Sequence, residues 1–297
     1  MQRTMDNGQR TTLPKILLCL DTDAQPSVFD GVVAVDAGVD HLFRHGGIKP
    51  DGVRDLVYGT MFTRGPAELK NTAIFIGGSD VDAGERMLAA VRAVFFGPMR
   101  VSLMLDSNGA NTTAAAAVLT AGKHVSLAES TATVLGATGP VGRRVVQLLA
   151  RAGCKVRVAS RQISRAKLVC DAMAKLIPAA KLEPCEARND ESIRVAVAGS
   201  SVVIAAGAPG IELLPEAVRQ QSQELKVAID LNAVPPAGIG GVGVQDKAVM
   251  HDGLICYGAI GVGGTKMKLH KAAIRRLFET NDAVLDAEEI YALGEKI

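Results

Sequence analysis

The chain has 297 residues, 48% of them hydrophobic, so it is long enough for two domains of ordinary size with a substantial core. The formal net charge is only +2, which gives no support to binding of nucleic acid or of a membrane surface. The five cysteines are scattered without a C-x-x-C pair, so we expect buried, reduced thiols and no bound metal.

Residues 1–12 are polar and lack the apolar centre of a signal peptide, which predicts a flexible N-terminal tail. No apolar run in the sequence is as long as a membrane-spanning helix. We therefore expect a soluble, cytoplasmic protein.

The first part of the chain alternates predicted strands with predicted helices. Short apolar runs predict buried strands at KILLCLD, NTAIFIGGSD and RVSLMLD, with another strand near HLFRHG. Asp23 and Ser27 are placed to cap a helix after the first strand, and the helix in DVDAGERMLAAVRAVFFGP is expected to end at Gly97-Pro98. Buried strands that alternate with helices indicate an α/β fold with a mostly parallel sheet.

An alanine-rich helix follows, with Asn111, Thr112 and Thr113 as candidate N-caps, and we interpret it as the crossover to a second domain. Later strands are predicted in TATVLGATG, CKVRVASR, SSVVIAAGAPG, LKVAIDLNAVPPAG and LICYGAIG. The expected division is a substrate domain of residues 13–112 and 266–297, and a doubly wound, Rossmann-like dinucleotide-binding domain of residues 113–265.

Gly136, Gly139 and Gly142 form a G-x-x-G-x-x-G turn between the strand TATVL and the helix VVQLLARAG. Glycines in this context allow a tight turn, close approach of the backbone to a pyrophosphate, and close packing of helix on strand. The free N–H groups of the helix N-terminus favour phosphate, and Pro140 at its start costs no useful hydrogen bond. The strand–turn–helix context favours a dinucleotide site over a merely tight turn.

A basic segment follows the second strand of this unit. Many dinucleotide-binding chains have an acid there, which binds the ribose 2′-hydroxyl of NAD and repels a 2′-phosphate. This chain has Ser160 and Arg161 instead, with Arg165 one turn on. A guanidinium binds phosphate by strong, fork-shaped hydrogen bonds, so the segment predicts NADP, with NAD as a second cofactor. The alternative is a set of solvated charges at the start of a helix.

Loops at the carboxyl ends of the other strands are expected to flank the nicotinamide, because ligands of such sheets bind at that edge. The predicted cofactor-binding residues are Gly136, Thr138, Gly139, Pro140, Val141, Gly142, Ser160, Arg161, Arg165, Ala206, Gly207, Asn232 and Gly263.

Several long motifs resemble one known family. They are DTDAQPSVFD, TAIFIGGSDVDAGER, FFGPMRVSLMLDSNGANTTAAAA, GATGPVG, NAVPPAGIGG, GAIGVGGTKMKLHKAAI and LDAEEIYAL. Together they resemble the NADP-dependent methylenetetrahydromethanopterin dehydrogenases, which are distantly similar to methylenetetrahydrofolate dehydrogenases. The resemblance runs from about Leu13 to the C-terminus.

The resemblance implies an oxidoreductase of one-carbon metabolism that acts on a CH–NH group. A hydride would pass from the methylene bridge of the pterin to the nicotinamide, which leaves a methenyl cation. It also implies a substrate domain and a dinucleotide-binding domain with the pterin in the cleft between them, a C-terminal helix that returns to the first domain, and a homo-oligomer, with a trimer as the implied count.

Three residues are candidate catalytic groups. Hydride transfer needs aligned rings and electrostatics suited to an emerging cation, and no acid–base pair is required. Asp23 and Asp106 follow apolar strands and would favour such a cation, although capping and turn formation are their alternative roles. Gly263-Gly264 are expected to precede a helix with Lys266 in its first turns, where a cation opposes the macrodipole unless a ligand compensates. By resemblance, Lys266 matches a lysine of the pterin site.

Two alternatives stay open at this point. The same chemistry on methylenetetrahydrofolate is the nearest, because one sequence does not separate the two pterins. A non-catalytic protein that senses NADP is the alternative from another class.

Overall fold

The computed structural model describes residues 13–297, so the predicted tail of residues 1–12 lies outside the described residues. The protein is α/β, with two sheets. Contacts divide the chain into two compact units: unit one contains residues 13–108 with Lys271–Val284, and unit two contains Gly109–His270 with Leu285–Ile297. No helix in the described range is long and apolar enough to span a bilayer.

Unit one is built on a five-stranded sheet whose strand order is β12-β4-β3-β1-β2. The pairs β1–β2, β1–β3 and β3–β4 are parallel. The central strands are short apolar runs that are buried on both faces, as the sequence predicts. The strands are β1 (Ile16–Asp21), β2 (His41–His45), β3 (Thr72–Gly77), β4 (Ser102–Leu105) and β12 (Val284–Leu285).

Three helices and part of a fourth belong to unit one, and their boundaries follow local capping chemistry. The Ser27 hydroxyl accepts a hydrogen bond from the amide of Asp30 and so caps the first helix. The third helix ends at Val94, three residues before Gly97, because Phe95 adopts an extended conformation. The helices contained in this unit are α1 (Val28–Asp36), α2 (Arg54–Met61) and α3 (Val81–Val94).

Unit two is built on a seven-stranded sheet whose order is β10-β11-β9-β8-β5-β6-β7. The strands are β5 (Thr131–Leu135), β6 (Lys155–Ser160), β7 (Lys181–Glu186), β8 (Val202–Ala205), β9 (Val227–Asp230), β10 (Lys247–His251) and β11 (Leu254–Tyr257). All neighbours pair in parallel except β10 with β11. Without the antiparallel edge strand β10, the order is the 3-2-1-4-5-6 order of a Rossmann sheet.

The remaining helices are α4 (Ala110–Gly122), α5 (Pro140–Arg151), α6 (Ile163–Leu176), α7 (Asp190–Val197), α8 (Glu216–Gln221), α9 (Ala259–Arg276) and α10 (Ala287–Gly294). Helix α9 contributes residues up to His270 to unit two and the rest to unit one. Helix α4 is buried along most of its length, since its alanines allow close packing.

The expected N-caps of α4 do not cap it. The helix begins at Ala110, and its cap is Gly109 in the left-handed conformation, with φ of 58°. Asn111 is therefore inside the helix, where its amide donates to Asp286 over 2.8 Å. The hydroxyl of Thr113 donates to the carbonyl of Gly109 over 2.6 Å.

The contact-based division differs from the expected domain boundaries, which were 112/113 and 265/266. The C-terminal helix α10 belongs to unit two and not to the first domain. Helix α10 packs chiefly on α4, where Gly294 lies against Leu119. In addition, Glu288 on α10 accepts hydrogen bonds from Gln147 over 2.6 Å and from Arg151 over 2.9 Å, both on α5. These contacts lie along the exposed side of α5 and join α10 to the helix that follows the glycine turn.

The cysteines were expected to be buried, and four of the five are. All five are free, and Cys185 is the one that is only partly buried. Burial raises the pKa of Cys19 to about 12 and the pKa of Cys154 to about 11. Within residues 13–297, no group of three or more His, Cys, Asp or Glu side chains is arranged to hold a metal ion.

Candidate functional site

The glycine turn of unit two leads from β5 into α5, and two of its glycines are required by space. Gly136 has a φ of 71°, and a Cβ there would lie 2.7 Å from the backbone of Gly207. A Cβ on Gly142 would fall on the carbonyl oxygen of Gly136 and 2.8 Å from Cα of Ala137. Gly139 differs, because its nearest neighbours would be 3.6 Å away. Packing therefore explains Gly136 and Gly142, and leaves Gly139 open to a role in ligand approach.

The glycine turn lies at the topological switch point of its sheet. Strands β5 and β8 are neighbours, with Leu135 paired to Ala205, and the chain connections leave them in opposite directions. Ala206 and Gly207, which follow β8, contact the Gly136 turn. Open α/β sheets bind ligands at this position, so the predicted loops come together where a dinucleotide is expected.

Helix α5 presents its N-terminus at the same turn. Gly139 is its N-cap and Pro140 its first residue, and no side chain caps the helix. Thr138, Pro140 and Val141 are partly exposed. The N–H groups of this first turn are therefore available to a phosphate, which fits the pyrophosphate of a dinucleotide.

A pocket of about 670 Å³ lies beyond the end of β6. Its lining includes the predicted residues Thr138, Ser160, Arg161 and Arg165, together with Arg188. Ser160 is buried, and its hydroxyl accepts a hydrogen bond from the amide of Gln162 over 3.4 Å. The exposed side chains of Arg161 and Arg165 line this pocket, and their charge suits a phosphate group.

The loop after β9 is organised by Asp230, a residue that the sequence analysis did not single out. Its buried carboxylate accepts hydrogen bonds from the amides of Asn232, Gly238 and Ile239 over 3.0, 2.7 and 3.1 Å. Burial is the main cause of the raised pKa of Asp230, and these donors lower the pKa in part. The loop contains a cis peptide bond between Pro235 and Pro236.

Asn232, a predicted cofactor contact, uses its side chain within this loop. Its amide group donates to the carbonyl of Pro236 over 2.8 Å and accepts from the amide of Val234 over 3.0 Å. The structure therefore gives Asn232 a role in shaping the loop at the carboxyl end of β9. A loop rich in Gly and Pro after a strand that ends in Asp was the available signal for Asp230.

The expected glycine loop before α9 is part of the helix. Helix α9 begins at Ala259, so Gly263 and Gly264 lie inside it and Lys266 lies in its third turn. Contrary to the prediction, Lys266 is therefore too far from the N-terminus of the helix to oppose its macrodipole there. Close backbone packing explains Gly261, because a Cβ there would fall on the carbonyl oxygen of Asp246. A Cβ on Gly263 or Gly264 would meet no atom within 4 Å.

Lys266 instead contacts the start of α4. Its ammonium lies 2.5 Å from the position that a Cβ on Gly109 would occupy, and Gly109 adopts a left-handed conformation. The lysine head group therefore fills the space left by a glycine directly after the segment Asp106-Ser107-Asn108. The two residues are 157 positions apart in the sequence, and only the fold brings them together.

The edge of the unit-one sheet contains the other predicted acids. Strands β1 and β3 are neighbours in the order 2-1-3-4, so the loops that follow them form the switch point of this sheet. Both carboxylate oxygens of Asp23 accept hydrogen bonds from Ser79, one from its amide and one from its hydroxyl, each over 2.9 Å. Asp21 accepts from the amides of Asp23 and Ser27. Asp23 therefore joins the loop after β1 to the loop after β3, and Asp21 shapes the loop after β1.

Asp106 follows β4 and is 1% exposed. Its amide donates to the carbonyl of Ile76 over 3.1 Å, and the next residue, Ser107, donates from its hydroxyl to Gly77 over 3.1 Å. Asn108 adopts a left-handed conformation, with φ of 53°. Asp106 thus lies at the same edge of the sheet as Asp23, with the end of β3 between them.

Arg144 was not predicted. It is a buried residue of α5 whose Nε donates to the side-chain oxygen of Asn111 on α4, and it also donates to the carbonyl of Pro140 over 3.3 Å. Asn111 in turn binds Asp286, the N-cap of α10. The network fixes α4 and α10 against the first turns of α5. Sequence carries little sign of it, because an arginine on a helix is usually exposed.

Two family models match the chain. Residues 28–108 match the N-terminal domain of methylene-tetrahydromethanopterin dehydrogenase, and residues 128–231 match the NmrA-like family. The first match lies in unit one and the second in unit two.

Two curated proteins of Methylorubrum extorquens (strain AM1) are similar over almost their whole length. The bifunctional protein MdtA is 46% identical over 95% of this chain and 99% of that protein. The NAD(P)-dependent methylenetetrahydromethanopterin dehydrogenase is 27% identical over 91% of this chain and 94% of that protein. Among solved structures, shikimate 5-dehydrogenase from Listeria monocytogenes, in complex with shikimate and NAD, has a TM-score of 0.55 at 12% identity. It covers 98% of this chain and 99% of that chain, and supports the fold alone.

Proposed function

Because the chain belongs to the family of MdtA and the NAD(P)-dependent methylenetetrahydromethanopterin dehydrogenases, we propose that it oxidises methylenetetrahydromethanopterin with NAD(P). The carrying observation is the glycine turn at the switch point of unit two, beside an arginine-lined pocket at the end of β6. This arrangement supports the proposal because NADP needs two sites. The glycine turn would bind its pyrophosphate, and the pocket would bind its 2′-phosphate.

The proposed reaction is a direct hydride transfer. One C–H bond of the pterin methylene group breaks, and hydrogen leaves with both electrons. Bound NAD(P) would accept this hydride and become NAD(P)H, and the pterin would be left as a methenyl cation whose charge is shared by the two flanking nitrogens. No proton is removed from the reacting carbon, so the protein needs to orient the partners and stabilise the positive charge.

The chain's own residues fit the cofactor. The first turn of α5 offers N–H groups that no side chain caps, and Gly139 leaves space for close approach. Arg161 and Arg165 line the pocket beyond β6 and would hold the 2′-phosphate of NADP. A neutral ribose hydroxyl fits the same pocket without the charge-assisted hydrogen bonds, so NAD is accepted with lower affinity.

Lys266, Asp106 and Asp23 are the proposed substrate-side residues. Lys266 contacts the polar edge of the pterin, which is supported by its placement against Gly109, next to the Asp106 segment. Asp106 supplies negative charge near the developing cation, supported by its burial at the carboxyl edge of β4. Asp23 acts through Ser79, since both of its oxygens already accept hydrogen bonds there.

The proposed assembly is a homo-oligomer, and a trimer is the first count to test. Support comes from α1, where Val28, Phe29, Val32 and Val35 are between 49% and 72% exposed. Four large apolar side chains along one helix form a surface that another copy of the chain would bury. The free thiols support a reducing compartment, so we place the protein in the cytoplasm.

The test is a spectrophotometric assay of purified protein with methylenetetrahydromethanopterin and with methylenetetrahydrofolate, each with NADP and with NAD. We expect reduction of NADP with the methanopterin substrate. Methylenetetrahydrofolate is the second candidate, because the same hydride transfer applies to it and the sequence does not separate the two pterins. Tight NADP binding without reduction by either pterin would refute the proposal and favour the NADP-sensing alternative.

A further inference from the structure

The arginine-lined pocket beyond β6 is built from two strands, although the basic segment of the sequence follows only one. Its lining includes Arg161 and Arg165 after β6, and Glu186 and Arg188 at the end of β7. Three guanidinium groups and one carboxylate therefore share a space of about 670 Å³, with a formal net charge of +2 from 3 − 1.

Backbone pairing fixes the position of Arg188. Ser160 pairs with Glu186 in the parallel β6–β7 register, and the amide of Ala187 donates to the carbonyl of Ser160 over 2.8 Å. The amide of Arg188 itself donates to the hydroxyl of Ser192 over 2.9 Å, in the capping box that begins α7. The backbone of Arg188 is therefore held beside Ser160 by two independent contacts.

We infer that Arg188 is a specificity-determining residue that binds the 2′-phosphate of NADP together with Arg161, and that Glu186 limits this preference. The inference rests on the proposed use of NADP. One guanidinium from each strand would contact a dianionic phosphate from two sides. A neutral ribose hydroxyl, as in NAD, would not form these charge-assisted hydrogen bonds. The carboxylate of Glu186 repels the same phosphate at short range, so it lowers the affinity for NADP more than the affinity for NAD.

The experiment measures dissociation constants for NADP and NAD by titration calorimetry on the full chain and its variants. Arg188→Ala is expected to raise the dissociation constant of NADP about ten-fold and that of NAD less than two-fold, because one charge-assisted hydrogen-bonding group is lost. Arg188→Lys is expected to recover part of the loss, because a lysine retains the charge without the fork. Glu186→Gln is expected to tighten NADP and leave NAD nearly unchanged.

Arg194→Ala is the matched control. Arg194 lies on α7, is exposed, and pairs with Glu191 over 2.6 Å outside the pocket lining. The control is expected to leave the ratio of NADP to NAD affinity unchanged. Equal weakening of both cofactors in Arg188→Ala, or no weakening of either, would overturn the assignment.

The result separates this inference from the proposed function. Turnover with each pterin is measured on the unmodified protein and on Arg194→Ala, where it is expected to be unchanged, whereas Arg188→Ala is judged by its cofactor affinities alone. A protein that reduces no cofactor with either pterin, but loses NADP affinity in Arg188→Ala, refutes the dehydrogenase and supports the pocket assignment.

Discussion

Asn111 and Asp286 are joined by a hydrogen bond of 2.8 Å that spans 175 residues of sequence and ties α4 to the cap of α10. Asn111 also accepts from the buried Arg144 of α5. One amide side chain therefore connects three helices, including the helix whose N-terminus follows the glycine turn. A buried charge held by such a network is costly to leave with fewer partners.

Replacement of Asn111 by Ala is expected to destabilise the protein by about 2–4 kcal/mol, because Arg144 and Asp286 each lose a buried or partly buried partner. Chemical denaturation monitored by circular dichroism measures the free energy of unfolding. Asn71→Ala is the control, since the Asn71 side chain donates at the surface to the carbonyl of Glu68. An equal change in free energy for the two variants would contradict the network.

Gly139 and Gly142 of the turn are expected to respond differently to replacement by alanine. Gly142→Ala should destabilise the protein by about 2 kcal/mol or more, because a Cβ there overlaps the backbone of Gly136 and Ala137. Gly139→Ala has room and a φ of −75°, so its stability should stay within about 1 kcal/mol of the unmodified protein. We expect it to weaken dinucleotide binding instead.

Thermal denaturation and cofactor titration of the same two variants check this separation. A Gly139→Ala variant that binds NADP normally would remove Gly139 from the cofactor site, while a stable Gly142→Ala variant would show that the helix moves away from the strand without cost.

Asp230 predicts a pH dependence of stability. Burial raises its pKa in the folded protein above the ordinary value of 3.8, so the folded state binds this proton more tightly than the unfolded state. The corresponding stabilisation is present below pH 3.8 and is lost as the pH rises through the folded-state pKa. Asp230→Asn removes this titration.

The measurement is the free energy of unfolding of both proteins across the acidic range. The stability of the unmodified protein relative to Asp230→Asn is expected to fall as the pH rises. The variant should also be less stable at every pH in that range, because Asn has a single oxygen for the amides of Asn232, Gly238 and Ile239. A relative stability that rises with pH would show that the amide donors outweigh burial.

Lys266→Ala is expected to lower turnover with the pterin by about 10²-fold, as expected for loss of a residue that orients substrate, and to leave NADP affinity within about two-fold. The control is Lys271→Ala: Lys271 lies on the same helix and pairs with Asp36 over 2.8 Å. Steady-state kinetics and cofactor titration provide the two readouts. Loss of NADP affinity in Lys266→Ala with normal turnover at saturation would show that Lys266 binds the cofactor and not the pterin.

Local patterns sufficed for much of the fold. The strands β1, β3, β4 and β5 are short apolar runs, and a buried parallel strand needs little more than that to be recognised. The turn at Gly136–Gly142 was also identifiable, since glycine spacing, strand and helix are all adjacent in the chain. Helix starts were harder to predict: α4 follows the left-handed Gly109, which lies against the side chain of Lys266, and α9 follows Gly258, which packs on the backbone of Gly243 and Val244.

The sequence by itself determined the α/β class, the dinucleotide turn and the family, because each is recognised from residues that are close together along the chain. Only the tertiary structure decided that Lys266 lies against Gly109, that Arg188 shares a pocket with Arg161, and that α10 packs on α5. Those relationships join residues tens to more than a hundred positions apart. Their energies depend on burial and on the direction of side chains, which are properties of the packed chain and not of any local window.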